Sequence, residues 1–164
     1  MILRSTEMNR TKLMVFHLGT LVVFLLDFLS KSWAVSTLSK GSIEVCRPWL
    51  YWVLAKNTGA AWSAFSGYPW LLAAIGCVVL IGIEFCLWRR SLSWWGILSL
   101  CLLSGGIIGN TWDRVVHGYV IDFIFVDLQF YAWPIFNIAD IGMCLGAVMG
   151  CMPHKFFKES DKSV

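Results

Sequence analysis

The chain has 164 residues, 58% of them hydrophobic and 14% charged, with a net charge of +3 and a mean hydropathy of +0.70. Soluble domains carry roughly 25% charged residues, so this composition excludes an ordinary soluble domain and points to one integral membrane domain over residues 1–164. No basic stripe interleaved with polar residues is present, and no nucleic-acid partner is expected.

Four apolar segments approach the ~20 residues that a helix needs to cross the hydrocarbon core: 13–35, 69–88, 93–111 and 134–152. The first follows a basic flank, Arg4, Arg10 and Lys12. It exceeds a signal-peptide core in length and no small-residue cleavage pattern follows, so it is read as retained. Asp27 and Lys31 stand four apart near its end, on one face, and read as a structural ion pair snorkelling to the interface. The loop 36–68 contains "IEVCRPWLYWVLAKNTGAAWSAF". Residues 43–55 suit short strands with Pro48 at an edge or bend; a loop lying on the lipid surface is the alternative. Trp49, Tyr51, Trp52 and Trp62 suit a membrane–water interface.

In the second segment Glu84 lies near Arg89 and Arg90 and is given no chemistry. The third contains Gly105, Gly106 and Gly109, which permit close helix approach, and ends at Asn110. A second loop, 112–133, carries Asp113, Arg114 and Asp122. Arg114 reads either as the partner of Asp113 at a helix end or as a group of the site. In the fourth segment Asn137 and Asp140 are three apart on one face, with Asp140 about 9 Å below Pro134.

Basic residues sort by side in membrane proteins. Arg4, Arg10, Lys12, Arg89, Arg90, Lys155, Lys158 and Lys162 fall on one side, and Lys31, Lys40, Arg47, Lys56 and Arg114 on the other. This bias favours both termini in the cytoplasm and both long loops outside. The six cysteines form no C-x-x-C pair and read as small packing residues without a disulfide framework. His17 and His117 read as packing or surface residues, and His154 as solvated in the basic tail. No His/Cys/Glu cluster has metal spacing, so no metal or other cofactor is expected.

Ionisable groups in a bilayer are costly and usually functional. Here Asp27, Lys31, Asn110, Asn137 and Asp140, far apart in sequence, are read as converging on the outer third of the membrane. No Lys or Arg lies within a helical turn of Asp140, and Asp122 is its natural partner. Two carboxyls that meet share one proton and titrate as a unit. The ionised one then takes a proton from water while the other donates to the carbonyl under attack. No G-x-S-x-G and no Ser/Cys–His spacing suggests a covalent route. The residues alone leave three readings: an acid/base hydrolase, a proton-coupled transporter, and a non-catalytic lipid-binding scaffold.

"DFLSK" (27–31), "NTGAAWS" (57–63), "GNTWDRVVHGYVIDF" (109–123) and "FNIAD" (136–140) resemble the signature blocks of the lipoprotein signal peptidase (signal peptidase II) family. The likeness covers nearly the whole chain, with the blocks in order. Trp62 departs from the more usual Phe but keeps an aromatic. The resemblance implies an aspartyl endopeptidase of the bacterial inner membrane that removes signal peptides from diacylglyceryl-modified prolipoproteins, cutting before the lipidated cysteine. It implies Asp122 and Asp140 as the catalytic pair. Asn57, Gly109, Asn110, Asp113, Arg114, Asn137 and Ala139 would support the site or bind substrate. It also implies an all-α integral membrane fold of four transmembrane helices, with a small β-rich cradle and a short helix on the periplasmic face. The expected partners are the lipidated precursor and membrane lipid, and the chain is expected to be a monomer.

Overall fold

A computed structural model describes residues 9–60, 64–90 and 92–152. The readings made for Arg4, Trp62, His154, Lys155, Lys158 and Lys162 lie outside these residues. Four helices and three strands follow in the order α1 (Arg10–Leu38), β1 (Ile43–Cys46), β2 (Leu50–Asn57), α2 (Pro69–Arg89), α3 (Trp94–His117), β3 (Val120–Val126) and α4 (Ile138–Cys151).

Local chemistry sets most boundaries. The Asn9 side chain accepts from Thr11 N and starts α1. Pro69 opens α2, where its missing N–H costs nothing. Ser93 caps α3 by accepting from Gly96 N, and Gly118, at φ +78° in the left-handed region, closes it. No breaker precedes Gly118, so α3 runs six residues past the expected end at Thr111. Asp113 and Arg114 therefore ride on a helix, not on a loop.

The expected strands appear as β1 and β2, with Pro48 in the turn between them. β3, "VIDFIFV", falls in the segment expected to be loop and is a buried strand. The three form an antiparallel sheet in the order β1-β2-β3. A short helix beside the sheet is not seen among the described residues, where 64–67 form a turn.

The fourth segment also differs. Residues 134–137 are not helical, because Phe136 exchanges backbone hydrogen bonds with Ile124 of β3 (2.8 and 3.1 Å) and Asn137 caps the helix. α4 has 14 residues, about 21 Å in length. Among the described residues three helices, α1, α2 and α3, are long and apolar enough to cross a membrane.

α3 is the centre of the bundle, packed against α1, α2 and α4. Its glycines allow this, as the spacing implied. A Cβ on Gly105 would come 2.9 Å from the Thr20 carbonyl of α1, and one on Gly106 would strike the Ala139 carbonyl of α4. Phe16, Leu87, Ile97 and Cys101 fill one end of the bundle. Ala34, Leu38, Phe123 and Ile124 fill the other, joining α1 to the sheet. The remaining faces are apolar and outward, including Leu29, Val78 and Ile81, as expected where lipid is the solvent. Of the cysteines, Cys101 packs in the core; the other five are exposed rather than packed. Glu84 meets His17 of α1 at 3.2 Å, not the neighbouring arginines, and His17 is exposed, the surface alternative of its two readings.

Candidate active site

Three asparagines bring the two aspartates together. Asp122 sits mid-strand on β3, opposite Ala55 of β2. Asn57 ends β2; its Oδ1 accepts from Gly59 N (2.9 Å), which turns its Nδ2 onto Asp122 Oδ2 (3.0 Å). Asn137 and Asp140 form a reciprocal capping box at the start of α4. Asn137 Oδ1 accepts from Asp140 N (3.0 Å), and Asp140 Oδ2 accepts from Asn137 N (3.1 Å). The Asn137 Nδ2 is thereby aimed outward from the helix and donates to Asp122 Oδ1 at 2.7 Å. Asn110, from α3, donates its Nδ2 to Asp140 Oδ1 at 2.8 Å.

Each of the four carboxyl oxygens thus accepts one N–H. Asn137 touches both acids and is fully buried; Asp122 is 2% exposed. The arrangement combines desolvation, which favours a proton on the pair, with fixed donors that favour ionisation.

Burial, and then the nearby Asp140, hold the Asp122 carboxyl up at about 6. An ordinary Asp titrates near 3.9. The folded chain therefore binds this proton more tightly than the unfolded chain, so its contribution to stability is complete below about pH 4 and is lost as pH rises through about 6. The tighter hold on the proton corresponds to about 3 kcal/mol. The thermal midpoint of the wild type in detergent is expected to fall between pH 4 and 7 more steeply than that of Asp122→Asn. Parallel profiles would contradict a raised Asp122.

Behind the pair lies a second cluster. Asp27 and Lys31 are ion-paired at 2.7 Å, as expected, but they do not snorkel to an interface: both are at most 2% exposed. The cause is that each has partners inside. Lys31 Nζ also contacts Asp113 Oδ2 (3.0 Å) and donates to Asn110 Oδ1 (2.9 Å). Asp27 Oδ1 accepts from the Ala139 N–H (2.8 Å), one of the orphan donors of α4. Gly109 leaves room for the Asp27 carboxylate, which a Cβ there would strike. Asp113 Oδ2 accepts from Ile121 N at 3.0 Å, tying α3 to the residue before Asp122.

Arg114 is not the partner of Asp113. Its two terminal nitrogens donate to the carbonyls of Asn110 (3.2 Å) and Gly59 (2.8 Å), which ties the loop after β2 to α3. All the expected site residues, Asn57, Gly109, Asn110, Asp113, Arg114, Asp122, Asn137, Ala139 and Asp140, are therefore joined in one network with Asp27 and Lys31. The sequence reading missed the contacts of Lys31 beyond Asp27. The signal was there: a lysine within a span needs compensation, and the carboxyl four residues away leaves two of its three donors free.

The family model described as signal peptidase (SPase) II matches residues 19–156. The lipoprotein signal peptidase of Dichelobacter nodosus is 37% identical over 146 residues, covering 87% of this chain and 94% of that one. That of Listeria monocytogenes serotype 4b (strain CLIP80459) is 37% identical over 142 residues, covering 83% and 90%. Two solved structures, each described as a bacterial membrane enzyme, superpose with TM-scores of 0.76 and 0.73. They are 27% and 29% identical and cover 92% and 89% of this chain, and 93% and 94% of their own. With the motifs, the fold and these relatives agreeing, the chain belongs to the signal peptidase II family, the lipoprotein signal peptidases.

Proposed function

We propose that this chain is an intramembrane aspartyl endopeptidase that removes the signal peptide from diacylglyceryl-modified prolipoproteins, cutting before the lipidated cysteine. One observation carries the catalytic type: Asp122 and Asp140, on separate elements, both bond to Asn137. In this reading one carboxylate takes a proton from water as the water attacks the scissile carbonyl. The protonated partner donates to the carbonyl oxygen, and no covalent acyl-enzyme forms. The N-terminus of α4 supplies positive field to the ionised partner. Asn57, Asn110 and Asn137 orient the acids. Asp113, Ala139 and Gly109 hold the elements that carry them, and Arg114 fixes the loop after β2.

The chain would act as a single membrane domain and a monomer, crossing four times with both termini cytoplasmic. The sheet would form a cradle at the periplasmic face of the inner membrane, level with a scissile bond that lies beside the lipidated cysteine. The aromatic cluster Trp33–Trp52–Phe123 supports an interfacial position for that cradle.

The test is direct. Purified protein in detergent is incubated with a diacylglyceryl-modified precursor, and release of the signal peptide is expected. An intact precursor with folded protein would overturn the proposal. A proton-coupled transporter needs a polar path through the inner half of the bundle. There Glu84 and His17 are paired with each other, which disfavours that reading. Proton flux in liposomes would revive it.

A further inference from the structure

We infer that Lys31 is a positioning residue of the aspartate pair, acting through the side-chain amide of Asn110. The inference rests on the aspartyl reading above and adds a role to a residue otherwise seen as half of an ion pair. Lys31 Nζ touches neither acid of the pair. Its three contacts are Asp27 Oδ2, Asp113 Oδ2 and Asn110 Oδ1, at 2.7, 3.0 and 2.9 Å. An ammonium has three N–H donors and no acceptor, so these contacts use it fully.

The consequence falls on Asn110. An amide has two faces of opposite character, and a free asparagine turns either one toward a neighbour. Asn110 Oδ1 is held by Lys31 and by Asn137 Nδ2 (2.9 and 3.1 Å). Its Nδ2 must then face Asp140 Oδ1, where it is found at 2.8 Å. Asn57 and Asn137 are fixed in the same sense by backbone N–H groups. Asn110 alone of the three depends on side chains for its orientation. Of its two clamps, Asn137 Nδ2 divides two N–H groups among Asn110, Asp122 and the Ile121 carbonyl, whereas Lys31 has one N–H for each of its three acceptors and is the stronger hold.

Without Lys31 the amide turns over in part of the population and presents its carbonyl to Asp140. A carbonyl there is met by a protonated carboxyl and repels an ionised one. The charged groups around Asp140 are Asp27 and Lys31 from α1, Asp113 and Arg114 from α3, and Asp122 from β3; from β2, Asn57, which bonds Asp122, is neutral. Loss of Lys31, which is buried, therefore acts on turnover and on its pH dependence rather than on any exposed contact with substrate.

The experiment compares kcat, KM and the activity–pH profile of the wild type with Lys31→Met on the lipidated precursor, using protein whose thermal midpoint shows it folded. A fall in kcat of about tenfold or more is expected. KM should stay within about twofold, and the rising limb should move to higher pH by about half a unit or more. A purely structural lysine would lower the yield of folded protein and leave kcat per folded molecule unchanged; the loss of its charge alone moves the limb, so kcat carries the distinction. Unchanged kcat would overturn the inference.

Should Lys31→Met not fold, Lys31→Met/Asp113→Asn replaces it, because one unpaired buried carboxyl is then removed. The introduced amide does not stand in for the lysine. Its carbonyl must take the place of Asp113 Oδ2 to accept from Ile121 N, which turns its N–H groups away. Failure of this variant to fold would also overturn the inference, since Lys31 would then serve the whole bundle. Asp122→Asn run alongside separates the two claims: activity in that variant sinks the aspartyl reading itself. Its inactivity together with a fully active Lys31 variant sinks this inference alone.

Discussion

Asp122→Asn or Asp140→Asn is expected to yield an inserted, folded protein whose cleavage of a lipidated precursor is down by roughly 10³-fold or more. The two acids divide one task, and neither has a substitute within the network. At Asp122, Asn57 and Asn137 are donors and offer no base. At Asp140, Asn110 and the Asn137 backbone do the same. The nearby carboxylates of Asp27 and Asp113 are occupied by Lys31 and by backbone N–H groups. An asparagine keeps the shape and one of the two accepting oxygens, and carries no carboxyl proton to transfer and no charge. The fold should survive, and for Asp122 removing a desolvated acid favours it above about pH 6. Normal processing of the lipidated precursor by either purified variant would end the aspartyl proposal.

Asn137→Ala should be nearly as damaging, through geometry. The residue caps α4, bonds Asp122 and lies 3.1 Å from Asn110. Truncation removes an N-cap, a loss of about 1 kcal/mol. It also leaves Asp122 Oδ1, Asn110 Oδ1 and the Asp140 N–H short of a partner in a buried site, at about 1–3 kcal/mol for each group left unmet. The expected outcome is a thermal midpoint lowered by several degrees and a kcat reduced by about 10²-fold. Asn137→Asp tests the orientation claim. It keeps an acceptor for the Asp140 N–H but replaces the Asn137 N–H groups with a third carboxylate oxygen facing Asp122. It should be as inactive as the alanine variant. Full activity in Asn137→Asp would mean that the donor to Asp122 is dispensable.

Much of this architecture could be read from residues alone, and the misses have physical causes. Helical spans announce themselves by length and apolarity, so α1, α2 and α3 were visible. That Asp122 and Asp140 belong to one cluster, bridged by Asn137, was legible because Asp140 has no cation within a turn. β3 was not legible as a strand. "VIDFIFV" is apolar on both faces, since the sheet packs on α1 below and the site above, and without alternation such a run does not reveal its period. The start of α4 was misplaced because Pro134–Phe136 is apolar like the helix that follows. What stops the helix there is a tertiary event, the pairing of Phe136 with Ile124. The burial of Lys31 was hidden for a related reason. Its local partner, Asp27, explained it well enough to conceal Asn110 and Asp113, which lie some eighty residues away.

The pairing of Ile124 with Phe136 has a mechanical consequence. Residues 120–140 leave the sheet, turn at 127–132 and return along the same strand before entering α4, so both acids ride on one closed ribbon of backbone. Their spacing is then an internal dimension of that ribbon. Should the surrounding helices tilt with the thickness of the lipid sheet, the ribbon would travel with the start of α4 as a unit, its two jaws kept in register.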